Sequence, residues 1–375
     1  MLYLAGLALT MSTGLLLVHL ISIGLALPRL KKSRPDCPPP VAAPRVTVLR
    51  PFKGLEYRLE ETLGSSLTLD YPDYQVFFCV DDANDPAVPL VRRLIDAHPD
   101  VEAKLLIGRD TGGRNPKINN LMKGWRAADG AYVAMADSNI ILPPDYLSQL
   151  VSRWDDTTGL VSSPAAGIDP RNFGGAVECA FLNGYQARWQ AAADQLGMGY
   201  AQGKTLFWNR DFLDQRGGPQ ALGDAIAEDA ASTILVRGAG LRVRLTRAPF
   251  DQPIGARRFA TIWKRQVRWA IIRRVAFPGL FLGEPLTSAA LPLLLFLFGI
   301  AALGMSLWLG LLFAALWYGA EWGLTRVAGW PLSLEIIAAS LCRDAMIPLL
   351  WGIAWTRSSF DWKGNTVGAP GGGQP

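Results

Sequence analysis

The sequence predicts an α/β fold: a mostly parallel sheet with helices on both faces, joined to an N-terminal anchor helix and C-terminal membrane helices. Three observations carry this. Strand-like and helix-like segments alternate through the central polar region, the order that a parallel sheet with crossover helices requires. Long apolar stretches bracket that region at both ends. Four charged clusters lie in order between and beside them: Val80-Asp81-Asp82, Asp137-Ser138-Asn139, Glu228-Asp229 and Arg265-Gln266-Val267-Arg268-Trp269.

The first apolar stretch runs from Leu2 to Leu27 without an Asp, Glu, Lys or Arg, and roughly 20 apolar residues suffice to cross a bilayer core. Its charges, Arg29, Lys31, Lys32 and Arg34, follow the run instead of preceding it. It therefore reads as an uncleaved anchor and not as a signal peptide. By the positive-inside rule those basic residues stay in the cytoplasm, which puts residue 1 outside and the polar region inside. The expectation is an integral membrane protein of a bacterial-type inner membrane rather than an organelle.

Residues 29–44 hold Pro35, Pro38, Pro39, Pro40 and Pro44 and read as a stiff, extended linker. The polar domain follows. Arg45 to Leu49 reads as a strand, Leu55 to Leu67 as a helix, Tyr74 to Val80 as a buried strand and Pro86 to His98 as a helix. Ala103 to Ile107, Pro116 to Ala128, Tyr132 to Ala136, Asp145 to Trp154 and Leu160 to Ser163 continue the alternation. A further helix is expected from Glu228 to Arg237.

At the C-terminal end, the uncharged stretch from Leu286 to Ala320 would be about 50 Å long as one helix, against a hydrocarbon core of about 30 Å. A hairpin turning near Gly304 fits better. The segment Leu332 to Trp355 contains Glu335, Arg343 and Asp344, which are costly in lipid unless they face a bundle interior or the interface. The expected division is a transmembrane anchor (1–28), a proline-rich linker (29–44), a cytoplasmic domain (45–256), a basic interfacial helix region (257–285), a C-terminal transmembrane region (286–356) and a tail (357–375). Its last residues, Gly368 to Pro375, have the composition of a disordered segment.

Composition narrows the chemistry. The net charge of +5 has a membrane explanation, since basic residues flank the first span and crowd Arg257 to Arg274, and no base-stacking motif accompanies them. Nucleic acid is therefore not an expected partner. The four cysteines have no C-x-x-C spacing, which speaks against a zinc site or a disulfide framework. The two histidines, His19 in the anchor and His98 on a polar helix, leave a carboxylate as the general base of the polar domain. Gly203-Lys204-Thr205 resembles the end of a phosphate loop, but Met198 stands where the earlier glycine is required, so nucleotide hydrolysis is rejected.

Sugar transfer from a nucleoside diphosphate needs recognition of the nucleoside, neutralisation of the leaving diphosphate and a base for the acceptor hydroxyl. Asp82, at a strand end, is placed to accept from a uracil imide; its ordinary alternative is a loop cap before the next helix. Asp137 is placed to bind a divalent cation, Mg²⁺ or Mn²⁺, because Mg²⁺ takes only one or two protein carboxylates. A turn is the alternative for Asp137-Ser138-Asn139. Asp229 is the candidate base, with Glu228 as the supporting acid that would raise its pKa; a favourable helix N-terminal charge is the alternative. Arg265 and Arg268, three apart, share a helix face beside Trp269 and suit either a diphosphate or a headgroup layer. Lys117 is a further candidate phosphate contact or a solvated surface lysine.

With these residues in view, the chain resembles the family 2-type membrane glycosyltransferases of the GT-A fold, and more closely the ceramide glucosyltransferases of family 21. The resemblance rests on Leu69-Asp70-Tyr71-Pro72, Asn115-Pro116-Lys117-Ile118-Asn119-Asn120-Leu121, Ala227-Glu228-Asp229 and Arg265-x-x-Arg268-Trp269. It implies that Asp82 binds the UDP moiety, Asp137 the metal and diphosphate, Asp229 acts as base, and Arg265, Arg268 and Trp269 contact diphosphate and acceptor. The implied reaction is inverting transfer of glucose from UDP-glucose to the primary hydroxyl of ceramide at the cytoplasmic face. Diacylglycerol or a hopanoid as acceptor, and UDP-galactose as donor, stay open from the residues, as does a non-catalytic sugar-nucleotide-binding protein. Two positions depart from the wider pattern: Asn139 replaces the second acid of D-x-D, and Arg265 replaces the glutamine of the processive synthases.

Overall fold

The structure, a computed structural model, describes residues 1–32, 37–225, 227–357, 359–362 and 365–368. Arg34 of the basic group and residues 369–375 of the expected tail lie outside the described residues. The chain divides into two compact units, one of Lys32–Ile168 with Ala193–Pro253, the other of Met1–Lys31, Asp169–Ala192 and Ile254–Pro375.

The first unit is built on a seven-stranded sheet. Its strands are β1 (Val46–Pro51), β2 (Tyr74–Val80), β3 (Glu102–Ile107), β4 (Tyr132–Ala136), β5 (Thr158–Ser162), β7 (Thr205–Asn209) and β8 (Arg242–Leu245), in the order β3-β2-β1-β4-β7-β5-β8. Strands β6 (Ala165–Pro170) and β9 (Phe250–Gly255) lie outside it. The pairs β1/β2, β2/β3, β1/β4 and β5/β8 are parallel, and β7 runs antiparallel between β4 and β5. The expected mostly parallel sheet is present.

Both β2 and β4 are buried along nearly their whole length, as strands covered on two faces must be, and their sequences are correspondingly apolar without alternation. The helix Pro116–Ala127 shows how a cover is fixed. Asn115 caps it, its side chain accepting from Lys117 N at 2.9 Å and Ile118 N at 3.3 Å, and Pro116 supplies a preset φ at the first position. Ile118, Leu121 and Trp125 then join Leu49, Phe77, Cys79 and Met135 in one apolar core. Gly124 permits the contact: a Cβ there would meet Cys79 Sγ and Leu49 Cδ2, each at 2.9 Å.

Some helices are shorter than the periodicity predicts. The segment 55–67 becomes a helix over Leu59–Gly64 and a 3₁₀ turn over Ser65–Leu67, because Arg58 has φ 55° and a left-handed residue cannot extend a right-handed helix. The segment 145–154 keeps only Tyr146–Val151.

The second unit holds the apolar helices. Leu2–Leu30 and Leu334–Thr356 are each long and apolar enough to cross a bilayer. Helices Ala290–Ala302 and Trp308–Val327 are joined through Gly304 at φ 66°, where the expected hairpin turns. Of the charges anticipated as costly in Leu334–Thr356, Arg343 and Asp344 are internal, each 1% exposed, while Glu335 is exposed in the helix's first turn. Arg343 donates to both carboxylate oxygens of Glu321 at 2.6 and 3.0 Å, to Asp344 Oδ1 at 2.8 Å and to the Ala180 carbonyl at 3.1 Å. Arg188 donates to Ser22 Oγ at 2.6 Å and His19 Nδ1 at 3.0 Å. Since a guanidinium only donates, His19 carries its proton on Nε2 and gives it to the Trp317 carbonyl at 3.0 Å.

Candidate active site

In open α/β sheets, ligands gather beyond the carboxyl ends of the parallel strands. The shared register of β1 with β2 and with β4 brings Val80 and Ala136 to the same edge of the first unit's sheet. Asp81 and Asp82 follow β2, and Asp137 follows β4. With β1 between them, the two groups are roughly 10 Å apart across the strands, a separation suited to the two ends of a nucleoside diphosphate. Asp82 is exposed and forms a small turn in which its Oδ1 accepts from Asn84 N at 2.9 Å and Asn84 Nδ2 at 3.3 Å. Asp85 takes the role of tying the loop down, accepting from Gly54 N at 2.8 Å and Ala87 N at 2.9 Å.

Asp137 is held between two ammonium groups. Its Oδ1 lies 2.6 Å from Lys117 Nζ and its Oδ2 3.1 Å from Lys204 Nζ. Burial works to raise its pKa, but Lys117 and Lys204 together outweigh burial and hold it down at about 2. Lys117 also donates to Glu228 Oε1 at 2.7 Å and to the Gly203 carbonyl at 2.6 Å. It is a buried bridge and not a solvated surface lysine; burial opposes its charge, and Asp137 and Glu228 raise its pKa in spite of that.

The bridge leads to the candidate base. Glu228 and Asp229 open the helix Glu228–Gly238, and Asn115 Nδ2 donates to Glu228 Oε2 at 3.0 Å. Asp229 Oδ2 accepts from Gly203 N at 3.1 Å and its Oδ1 from Ala230 N at 2.8 Å. Burial first, and the neighbouring Glu228 second, push its pKa up from 3.8 to about 6, against those two amides and Lys117. A carboxylate so tuned is ionised near neutral pH yet a better proton acceptor than an exposed aspartate.

Whether these residues suit a divalent ion is decided by what their oxygens already bind. Asp137 Oδ2 and Asn139 Oδ1, from the two positions of the D-x-D pattern, both lie 3.1 Å from Lys204 Nζ. Asp137 Oδ1 is engaged by Lys117. No group of three or more His, Cys, Asp or Glu residues is arranged for a metal among the described residues. As arranged, the set does not fit a resident ion, because an ammonium stands on its oxygens.

The structure thus brings Asp137, Lys117, Glu228 and Asp229 into one hydrogen-bonded group, with Asp82 along the same sheet edge. Arg265, Arg268 and Trp269 belong to the other unit, on the helix Phe259–Ala276. There Arg265 pairs with the buried carboxylate of Glu178 and lies 5.9 Å from the Trp269 ring centroid. Lys204, Gly203 and Asn115 were not singled out as site residues by sequence. Lys204 had a signal in the Gly203-Lys204-Thr205 triplet, which phosphate-loop spacing alone could not interpret.

Comparisons with known proteins bear on the family and the fold. Ceramide glucosyltransferase 1 of Caenorhabditis elegans is 29% identical over 293 residues, which cover 77% of this chain and 62% of that protein. The chain therefore spans under two thirds of that relative. Ceramide glucosyltransferase 3 of the same organism is 26% identical over 369 residues, 96% of this chain and 80% of its own length. Among solved structures, the mannosyltransferase PcManGT from Pyrobaculum calidifontis, in complex with GDP-Man and Mn²⁺, superposes with a TM-score of 0.55 at 22% identity, covering 91% of this chain and 98% of that one. That likeness bears out the GT-A fold. The profile of Glycosyl transferase family 21 matches residues 14–374, nearly the whole sequence, and the chain belongs to that family.

Proposed function

We propose that this protein is an inverting hexosyltransferase that moves one glucose from UDP-glucose to the primary hydroxyl of ceramide, at the cytoplasmic face of a membrane. The observation that carries the reading is the Asp229 carboxyl, half-buried and raised to about 6, one residue from a Glu228 that Lys117 ties to Asp137. Family membership and the names of the relatives support the donor and acceptor classes. The two long apolar helices support a membrane-resident acceptor.

In this reading Asp82 receives the uracil, using the carboxylate oxygen that its turn leaves open. The diphosphate lies toward Asp137 and its lysines, and Arg265, Arg268 and Trp269 serve the diphosphate and acceptor. Asp229 takes the proton of the acceptor hydroxyl as that oxygen attacks the anomeric carbon. The bond from that carbon to the β-phosphate oxygen breaks, UDP departs with the electron pair, and the product is a β-glucoside. A divalent ion is not given a step, because the oxygens expected to hold it are occupied by Lys204.

The test is incubation of purified protein with UDP-glucose or UDP-galactose and ceramide, diacylglycerol or a hopanoid, followed by mass analysis of the lipids. A single added hexose on ceramide from UDP-glucose is expected. Transfer to another lipid with ceramide untouched would overturn the acceptor, and transfer from UDP-galactose alone would overturn the donor. UDP-glucose binding without transfer to any of these lipids would favour a non-catalytic binding protein.

A further inference from the structure

The two lysines on Asp137 differ in what they have left to give. An ammonium carries three protons. Lys117 spends its three on Asp137 Oδ1, Glu228 Oε1 and the Gly203 carbonyl, at 2.6, 2.7 and 2.6 Å. Lys204 makes two hydrogen bonds among the described residues, to Asp137 Oδ2 and Asn139 Oδ1, each at 3.1 Å. One proton remains, and the side chain keeps 14% of its exposure.

Its position is enforced by the sheet. Thr205 pairs with Ala136 at the end of β4/β7, and Asp137 N donates to the Lys204 carbonyl at 3.0 Å. Lys204 and Asp137 are therefore obligatory neighbours whatever ligand arrives. The rotamer freedom that makes an exposed lysine a poor anchor is already spent, on two side-chain oxygens. A compact cation with an unspent donor, at the carboxyl edge of the sheet, suits an anionic phosphate oxygen.

We propose that Lys204 is the resident counter-cation of the diphosphate place, standing on the two oxygens, Asp137 Oδ2 and Asn139 Oδ1, that a divalent ion would otherwise bridge. This rests on the sugar-nucleotide reading above. It follows that nucleoside diphosphate binding does not require a metal, and that Lys204 and a metal ion exclude one another. It also gives Asn139 a purpose. A second carboxylate at that position would favour a doubly charged ion, whereas a neutral carbamoyl oxygen orients an ammonium without adding a charge for it to neutralise.

The experiment measures UDP binding calorimetrically in EDTA and in MnCl₂, and Mn²⁺ binding without nucleotide by electron paramagnetic resonance. It uses the full chain in detergent, as wild type, Lys204→Met and Lys204→Arg, with Lys204→Gln where the methionine variant fails to fold. The wild type is expected to bind UDP in EDTA, and Lys204→Met to lose about 10- to 100-fold of that affinity, the range for a lost charge-assisted hydrogen bond. Lys204→Arg should retain most of it, and Lys204→Met should bind Mn²⁺ more tightly than wild type. Wild-type UDP binding that vanishes in EDTA, or Lys204→Met binding unchanged in EDTA, would overturn the proposal. If no form binds UDP in either medium, the donor assignment fails. Tighter Mn²⁺ binding by Lys204→Met would then still uphold the position of the ammonium, and unchanged Mn²⁺ binding would sink both.

Discussion

At the scale of single residues, Asp229 makes the sharpest claims. Its folded pKa, about 6 against an ordinary 3.8, predicts an acid limb in kcat/KM with a midpoint near 6, read from a pH–rate profile. Replacing Glu228 by Gln removes the second cause of the shift, so the limb should move to lower pH; an unmoved limb would mean that another group controls it. Asp229→Asn should lower transfer by about 10²- to 10⁴-fold while UDP binding persists. The same shift has a stability sign. A raised folded pKa contributes stability below the unfolded value, and that contribution is lost as pH rises through about 6. At pH 8 the ionised carboxyl therefore costs the fold, and Asp229→Asn should be more stable than wild type by on the order of 1–3 kcal/mol. Thermal denaturation at pH 4 and pH 8 checks this, with the difference expected only at pH 8.

At the scale of elements, the capped helix Pro116–Ala127 links stability to the site. Asn115 caps it and also donates to Glu228 at 3.0 Å. Asn115→Ala should lose both, with about 0.5–2 kcal/mol of stability gone with the cap. Asn115→Ser keeps a capping oxygen but gives up the longer reach to Glu228, so it should spare most of the stability and still perturb the acid limb. Denaturation and the pH profile measured on both variants separate the two roles. Much at this scale was legible in the sequence. Tyr74–Val80 and Tyr132–Ala136 were read with the bounds they have, because short, largely apolar runs between turn residues have few other uses. The antiparallel β7 was not, since the direction of Thr205–Asn209 is fixed by partners roughly 70 residues earlier in β4 and by no local pattern. Lys204 was missed for the same reason: its meaning lies in the register opposite Ala136 and Asp137. Asp137 and Asp229 are legible as candidates because their strand-end and helix-start positions are local properties.

At the scale of the whole molecule, the chain builds each of its two units from separated segments, and residues 169–192 join the unit of apolar helices. That unit encloses the cluster in which Arg343 binds Glu321 and Asp344. Removing one partner of a buried pair leaves a stranded charge, at a cost of about 3–5 kcal/mol. Arg343→Met, which strands Glu321 and Asp344 together, should therefore abolish the recoverable folded protein in detergent, and Arg343→Met with Glu321→Leu should restore part of it. A double variant no better than the single would show that the pair does not act as one. The dispersal of the segments has a consequence in time. Glu178 meets Arg265 across 87 residues of chain, so at synthesis rates of about 5–20 residues per second its carboxylate waits roughly 4–17 s for its partner to be made. Arg188 emerges within the same interval, although Ser22 and His19 precede it. For those seconds the nascent segment 169–192 presents an acid whose mate does not yet exist. The ribosome's pace, and not only the final packing, decides how long that segment needs shelter.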